Sequence, residues 1–190
     1  MENNTIESLG QEEDQFVKEL AQVYKRLRFS KNLRKAMKEV ESTLLDLLGA
    51  RLFTIYQTVS NGKEIIASFK GGIGSENDIE IRVPLSPTSL AGYVALSQRP
   101  IVISNVYDQD ELTNIHPRLQ WDKRFSESKG LYFKSMIVVP IKDEILLGVL
   151  QVIRLKEDPE FSKADLKHAA MLSQMLAKQF RAELDRKSVV

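Results

Sequence analysis

The sequence predicts an α+β fold, with helices at both ends around six strands. Three observations carry this. Apolar residues recur at helical spacing before residue 49 and after residue 162. Between them lie short runs rich in β-branched and aromatic residues, broken by Asn61-Gly62, Pro84, Pro87, Pro100 and Asp158-Pro159. The chain has 190 residues, 43% hydrophobic and 28% charged, enough apolar surface for one globular domain with an appendage.

The elements follow in order. Residues 1 to about 11 read as frayed. From Glu12, the residues Phe16, Leu20, Val23, Tyr24 and Leu27 form one helical stripe, which reads as an arm ahead of the domain. Ser30 is a cap candidate for a second helix, with Leu33, Met37, Val40, Leu44, Leu47 and Leu48 as its stripe and Gly49 as its breaker. Leu52 to Val59 is a strand, Asn61-Gly62 a hairpin turn, and Lys63 to Phe69 the return strand. Gly71 to Gly74 reads as a flexible loop. Ile79 to Val83 alternates, with Ile79, Ile81 and Val83 inward. Ser89 to Gln98 reads as a short helix and Ile101 to Ile103 as a short strand. Ser104 to Lys134 is long and polar, with one short helix expected to start at Pro117. Such a loop in a compact domain is often functional. Ser135 to Ile141 and Ile145 to Leu155 form a second hairpin, and Ser162 begins a final helix of about 25 residues.

Composition excludes several functions. With no cysteine there is no disulfide, thiolate metal site, cysteine nucleophile or thioether-linked cofactor, and a reducing, cytoplasmic location is expected. Lys and Arg total 27 against 26 acids, with no basic run, so no nucleic-acid partner is expected. No apolar stretch approaches the roughly 20 residues that span a bilayer, so no membrane partner is expected either. Asp108, Asp110 and Glu111 lack the glycine and glutamate of a calcium loop. The two histidines, His116 and His168, do not make a structural zinc site, and there is no Gly-x-Ser-x-Gly elbow. Gly71-Gly72-Ile73-Gly74 lacks the lysine of a phosphate loop and leads toward a strand. No catalytic residue, metal site or cofactor is therefore assigned.

The order of blocks from Ser89 onward is distinctive. Ser89-Leu90-Ala91-Gly92-Tyr93-Val94-Ala95 leads into Gln98-Arg99-Pro100-Ile101-Val102-Ile103, followed by Met136-Ile137-Val138-Val139-Pro140-Ile141, Leu147-Gly148-Val149-Leu150-Gln151 and Phe161-Ser162-Lys163-Ala164-Asp165-Leu166. This resembles a GAF domain, a sensory module related to PAS, over about residues 33–180. The resemblance implies a six-stranded antiparallel sheet with the terminal helices on one face. Short helices and the long loop would cover the other face, where the family's ligand pocket lies. It implies a domain over residues 30–182, after an arm at 1–29 and before a tail at 183–190. The family's cyclic-nucleotide signature is not recognisable here, and its bilin-binding and methionine sulfoxide reductase members need cysteine. The expected function is a non-enzymatic sensor that binds a small molecule or partner and reports through its terminal helices to an effector domain where one is present; the alternative is a structural dimerisation module. A homodimer through the arm and the last helix is expected. The ligand-binding candidates lie in and beside the long loop. Trp121, Phe125 and Phe133 would supply apolar walls, and Asn105, His116 and Ser135 polar groups.

Overall fold

Alternation along the strands builds two apolar faces on one sheet. The computed structural model describes residues 2–76, 80–127 and 130–188, with side chains described for all of these except 2–9, Ser60, Phe125 and Glu127. Helix α1 (Glu2–Arg28) and helix α2 (Leu33–Leu48) precede strands β1 (Leu52–Val59), β2 (Glu64–Gly72) and β3 (Arg82–Pro84). Helix α3 (Leu90–Ser97), strand β4 (Ile101–Ile103) and helices α4 (Gln109–Ile115) and α5 (Arg124–Glu127) follow. Strands β5 (Phe133–Lys142) and β6 (Leu146–Leu155) and helix α6 (Lys163–Ser188) complete the chain. The sheet order is β3-β2-β1-β6-β5-β4, antiparallel throughout.

Phe53 and Ile55 of β1, Leu150 and Val152 of β6, and Ile137 and Val139 of β5 point to α1, α2 and α6. The alternate residues Leu52, Tyr56, Val149, Ile153, Met136 and Val138 form a second core under α3 and the long segment. The sheet is thus apolar on both sides, as strands covered on both faces require.

The stripe on α1 does not await a second chain. Phe16, Leu20, Val23 and Leu27 are all buried in the helix-side core of their own domain. The Phe16 ring stacks on His168 of α6 at 3.9 Å, and Glu13 pairs with Lys167. Burying four such side chains is worth about 1.5–3 kcal/mol each, which holds a helix that would be marginal in isolation.

Several local expectations are corrected. Asn32, not Ser30, caps α2: its side chain accepts from the Lys35 N–H at 3.0 Å, while the Ser30 hydroxyl accepts from the Asn32 N–H. The helix of the first segment begins at Glu2 rather than Glu12. Gly71 and Gly72 are not loop; they extend β2 and pair with Phe53 and Leu52. A Cβ on Gly72 would lie 2.2 Å from the Arg51 carbonyl oxygen, so the close approach explains the glycine. Ile79 lies outside the described residues. The Ile81 carbonyl accepts from Ala67 N–H, so pairing with β2 begins just before β3. No helix starts at Pro117. The helix sits earlier, at Gln109–Ile115, because Asp108 caps it through the N–H groups of Asp110 and Glu111. Glu111 then accepts from the N–H groups of Ser104 and Asn105, so the carboxylates of Asp108 and Glu111 both serve the backbone.

The β5–β6 turn is tied to the last helix. Arg181 donates to both oxygens of Asp143, at 2.7 and 2.6 Å. That bond, aided by the Ile145 N–H, holds the Asp143 carboxyl down at about 2. A carboxyl depressed in the folded state stabilises above its ordinary value and loses that contribution as pH falls through the folded one. Asp143→Asn is therefore expected to flatten the acid limb of the melting temperature between about pH 4 and pH 2, leaving pH 7 and above parallel to the parent. An unchanged acid limb counts against the contact.

Candidate functional site

A cavity of about 690 Å³ opens on the face of the sheet away from the terminal helices. Its floor is β1, β2 and β6. Leu52, Tyr56 and Ile153 are its apolar part, and the alternation that sends Phe53 and Ile55 to the helices sends these to the cavity. One row of the floor is polar. Lys70 of β2, Thr54 of β1 and Gln151 of β6 are in register across three neighbouring strands. Thr54 and Gln151 are buried, at 8% and 7% exposure. The Gln151 amide nitrogen meets the Met136 sulfur at 3.5 Å, a weak acceptor. Burial pushes the Tyr56 phenol up to about 12, so it stands in the cavity as a neutral hydroxyl at physiological pH.

The walls come from three segments. Ile81 to Pro84 forms one side, and the start of α3 another. Ser89 caps α3 by accepting from the Gly92 N–H at 3.2 Å. A Cβ on Gly92 would lie 2.6 Å from the Pro84 carbonyl oxygen, so only glycine lets α3 sit against the β3 strap. The third wall is Gln120 to Arg124, where Trp121 packs 6.1 Å from Phe133 at 54°. The Trp121 Nε1 is buried without a hydrogen-bond partner among the described residues. Arg124 donates to both oxygens of Asp122, and Arg82 donates to Glu80 and Glu64.

This arrangement, a six-stranded antiparallel sheet with terminal helices behind and a covered cavity in front, has a family. The GAF domain model matches residues 32–180. The chain belongs to the GAF domain family. GAF domains are sensory and regulatory modules. No curated protein matches the chain. Solved structures show the same fold. The GAF domain of a phosphoenolpyruvate-protein phosphotransferase from Coxiella burnetii is 20% identical, with a TM-score of 0.70, over 92% of this chain and 97% of that one. The GAF domain of nlh2 from A. aeolicus, in an inactive state, is 17% identical, with a TM-score of 0.68 over 90% and 99%. The free methionine-R-sulfoxide reductase of Neisseria meningitidis, in complex with its substrate, is 17% identical, with a TM-score of 0.65 over 90% and 91%.

Within this GAF domain the sequence-predicted site residues separate. Trp121 and Phe133 line the cavity together. The Phe125 side chain lies outside the described residues; its backbone is in α5, and Trp121 precedes that helix, so the two do not share a helical face. Asn105 serves a turn: its side chain accepts from the Tyr107 N–H at 3.1 Å. His116 ends α4, lies 5.8 Å from the Tyr93 ring, and its Nδ1 accepts from the Arg118 N–H at 3.1 Å. Neither lines the cavity. A bulge between Phe133 and Ser135 shifts the alternation, and Ser135 pairs with Arg154 on the helix side. The floor residues Thr54, Gln151 and Lys70 were missed. A signal existed, because Thr54 and Gln151 are polar residues set inside otherwise apolar strands. Among the described residues no group of three His, Asp or Glu side chains is placed to hold a metal ion, and no helix is long and apolar enough to cross a membrane.

Proposed function

We propose that this chain is a non-enzymatic sensory or regulatory module that binds a small molecule in the cavity and transmits its state through the terminal helices. The cavity itself carries the reading. Its volume falls within the range of small-molecule sites, about 300–1,000 Å³, and its lining sets apolar side chains such as Leu52, Trp121 and Phe133 beside polar ones such as Thr54 and Gln151. Its floor strands carry α2 and α6 on their other face, so a ligand that favours one arrangement of the sheet would bias the helices. The open cavity supports this over a purely structural dimerisation module, whose pocket would be filled by side chains.

The relative from Neisseria meningitidis is an enzyme on the same fold. The family resemblance attaches a cysteine requirement to that chemistry, and this chain has no cysteine. The proposal extends to a cytoplasmic homodimer with an effector domain as its downstream partner. Val17 and Leu184, exposed on α1 and α6, supply apolar surface for a helical interface.

Native mass spectrometry of freshly purified protein, before and after denaturation, reads stoichiometry and retained ligand together. A dimer with a released small molecule is the expected result. A bound ligand is expected to change the fluorescence of Trp121, the single tryptophan. Trp121→Ala is expected to weaken its binding by about 1–3 kcal/mol, the worth of a buried apolar wall. A ligand bound with equal affinity by the variant lies elsewhere.

A further inference from the structure

Resting on the reading that the cavity binds a small molecule, we infer the ligand's chemistry: an uncharged, amphipathic molecule that carries an amide. The amide would bond Thr54, Tyr56 and Gln151 on the floor, and the apolar body would lie against Leu52, Trp121 and Phe133.

The floor is the first argument. Thr54, Tyr56 and Gln151 line the cavity and are each more than nine-tenths buried, at 8%, 6% and 7% exposure. Buried polar groups cost free energy unless something bonds them, so nearly all of them are bonded in folded proteins. These three are exceptions. Among the described residues neither the Thr54 hydroxyl nor the Tyr56 phenol has a hydrogen-bond partner, and the Gln151 carboxamide meets only the Met136 sulfur. They also stand together. Thr54 faces Gln151 across the β1–β6 ladder, and Tyr56 is two residues further along β1 on the same face. Opposed side chains on neighbouring strands are about 4.5–5.5 Å apart at Cβ and diagonal ones about 7–8 Å, so the three form one cluster.

The kind of group is the second argument. All three are uncharged, and each can both donate and accept. An amide offers the same pair, an N–H beside a C=O, and a carboxamide side chain can bond it at both ends. Burial pushes the Tyr56 phenol up to about 12 with no cation drawing it back, so this part of the floor disfavours an anion. Nor does a carboxylate line the floor strands there, so an ammonium would lack a counter-ion. The charged residues around the cluster are already engaged: Lys70 has an interaction of its own, Arg82 is paired with Glu64 and Glu80, and Arg124 with Asp122.

The wall is the third argument. Trp121 and Phe133 give it two aromatic rings, and the Trp121 Nε1–H is one more buried donor without a partner among the described residues. A hydrocarbon would leave the polar cluster unbonded, and a small hydrophilic molecule would leave the rings unused.

The test is a set of aryl and alkyl primary carboxamides, each accompanied by the acid, the amine and the hydrocarbon of the same skeleton. Binding to the full chain is followed by calorimetry and Trp121 fluorescence, at low salt and at about 0.5 M salt. The amides are expected to bind about tenfold more tightly than the other three forms, and their affinity to be insensitive to salt. Thr54→Val and Tyr56→Phe each remove one hydroxyl and keep the shape. Each is expected to lower amide affinity about three- to tenfold and to leave the hydrocarbon's unchanged. Gln151→Leu is expected to erase the preference for amide over hydrocarbon. The ratios in the parent protein stand whether or not a variant folds. Acids, amines or hydrocarbons bound as tightly as the amides overturn the amide inference and leave the small-molecule reading standing. A preference for amides that survives all three substitutions overturns the assignment to this floor. A set in which nothing binds overturns both readings.

Discussion

Val138→Asp is expected to unfold the domain. Val138 is fully buried in the middle of β5, paired with Ile101 of β4 on one side and Gln151 of β6 on the other. Its side chain joins the cavity-side core with Met136, Val149 and Ile153. An aspartate there either ionises in an apolar surrounding or takes up a proton to avoid doing so. Both routes cost several kcal/mol, against the roughly 5–15 kcal/mol that hold an ordinary domain together. Gln151, in register beside it, is the near polar group, and one amide does not solvate a carboxylate. Far-ultraviolet circular dichroism at 25 °C is expected to show loss of the native spectrum. Val102→Asp is the control. Val102 lies one strand over, on the edge strand β4, and is partly exposed, so the same change there is expected to cost under about 1 kcal/mol. A Val138→Asp protein that melts with the parent means β5 does not occupy the centre of this core.

The sequence made the strands legible because their alternation is strong. Leu52 to Val59 was bounded correctly, and the hairpin at Asn61 has the positive φ, 57°, that its Asn-Gly pair anticipates. It also made the family legible, through the order of blocks from Ser89 onward. The site was less legible, for a physical reason. Cavity floors are assembled from residues distant in sequence, and Lys70, Thr54 and Gln151 become neighbours only once the register of three strands is fixed. The long segment drew attention for its irregularity, but much of its polarity serves its own backbone. Asn105, Asp108, Glu111 and His116 all accept from main-chain N–H groups. A polar loop residue reads alike in sequence whether it bonds a ligand or its own turn. The arm misled in a different way. An amphipathic stripe shows that a partner exists and does not say which, and here the partner is the domain's own α2 and α6.

Arg154→Ala is expected to destabilise the domain by about 3 kcal/mol and to loosen the start of α6 before the rest. Arg154 ends β6 on the face turned to the helices. Its Nε donates to the Gly49 carbonyl at 2.7 Å, where α2 stops, and its terminal nitrogens donate to the Glu160 carbonyl and to both oxygens of Asp165. The guanidinium also lies 4.2 Å over the Phe161 ring. One side chain therefore fastens the end of α2, the end of β6 and the first turn of α6. Removing one partner of a buried ion pair costs about 3–5 kcal/mol, because the other is left uncompensated. The Arg154 side chain is 9% exposed and that of Asp165 is 22% exposed, which places the expectation at the lower end of that range. Asp165 keeps the Ser162 N–H and hydroxyl as donors, so α6 retains its cap and unfolding is local first. Lysine is not an adequate replacement, since it lacks the planar fork that reaches Gly49 and Asp165 together. Chemical denaturation gives the total, and a double-mutant cycle with Asp165→Asn gives the pairwise share. Hydrogen exchange locates the loss, with faster exchange expected over residues 163–170 and near-parental protection in β5. A variant that lowers stability evenly, with no excess exchange at the start of α6, means the fastening of α6 depends on Phe16 and the other α1 contacts and not on Arg154.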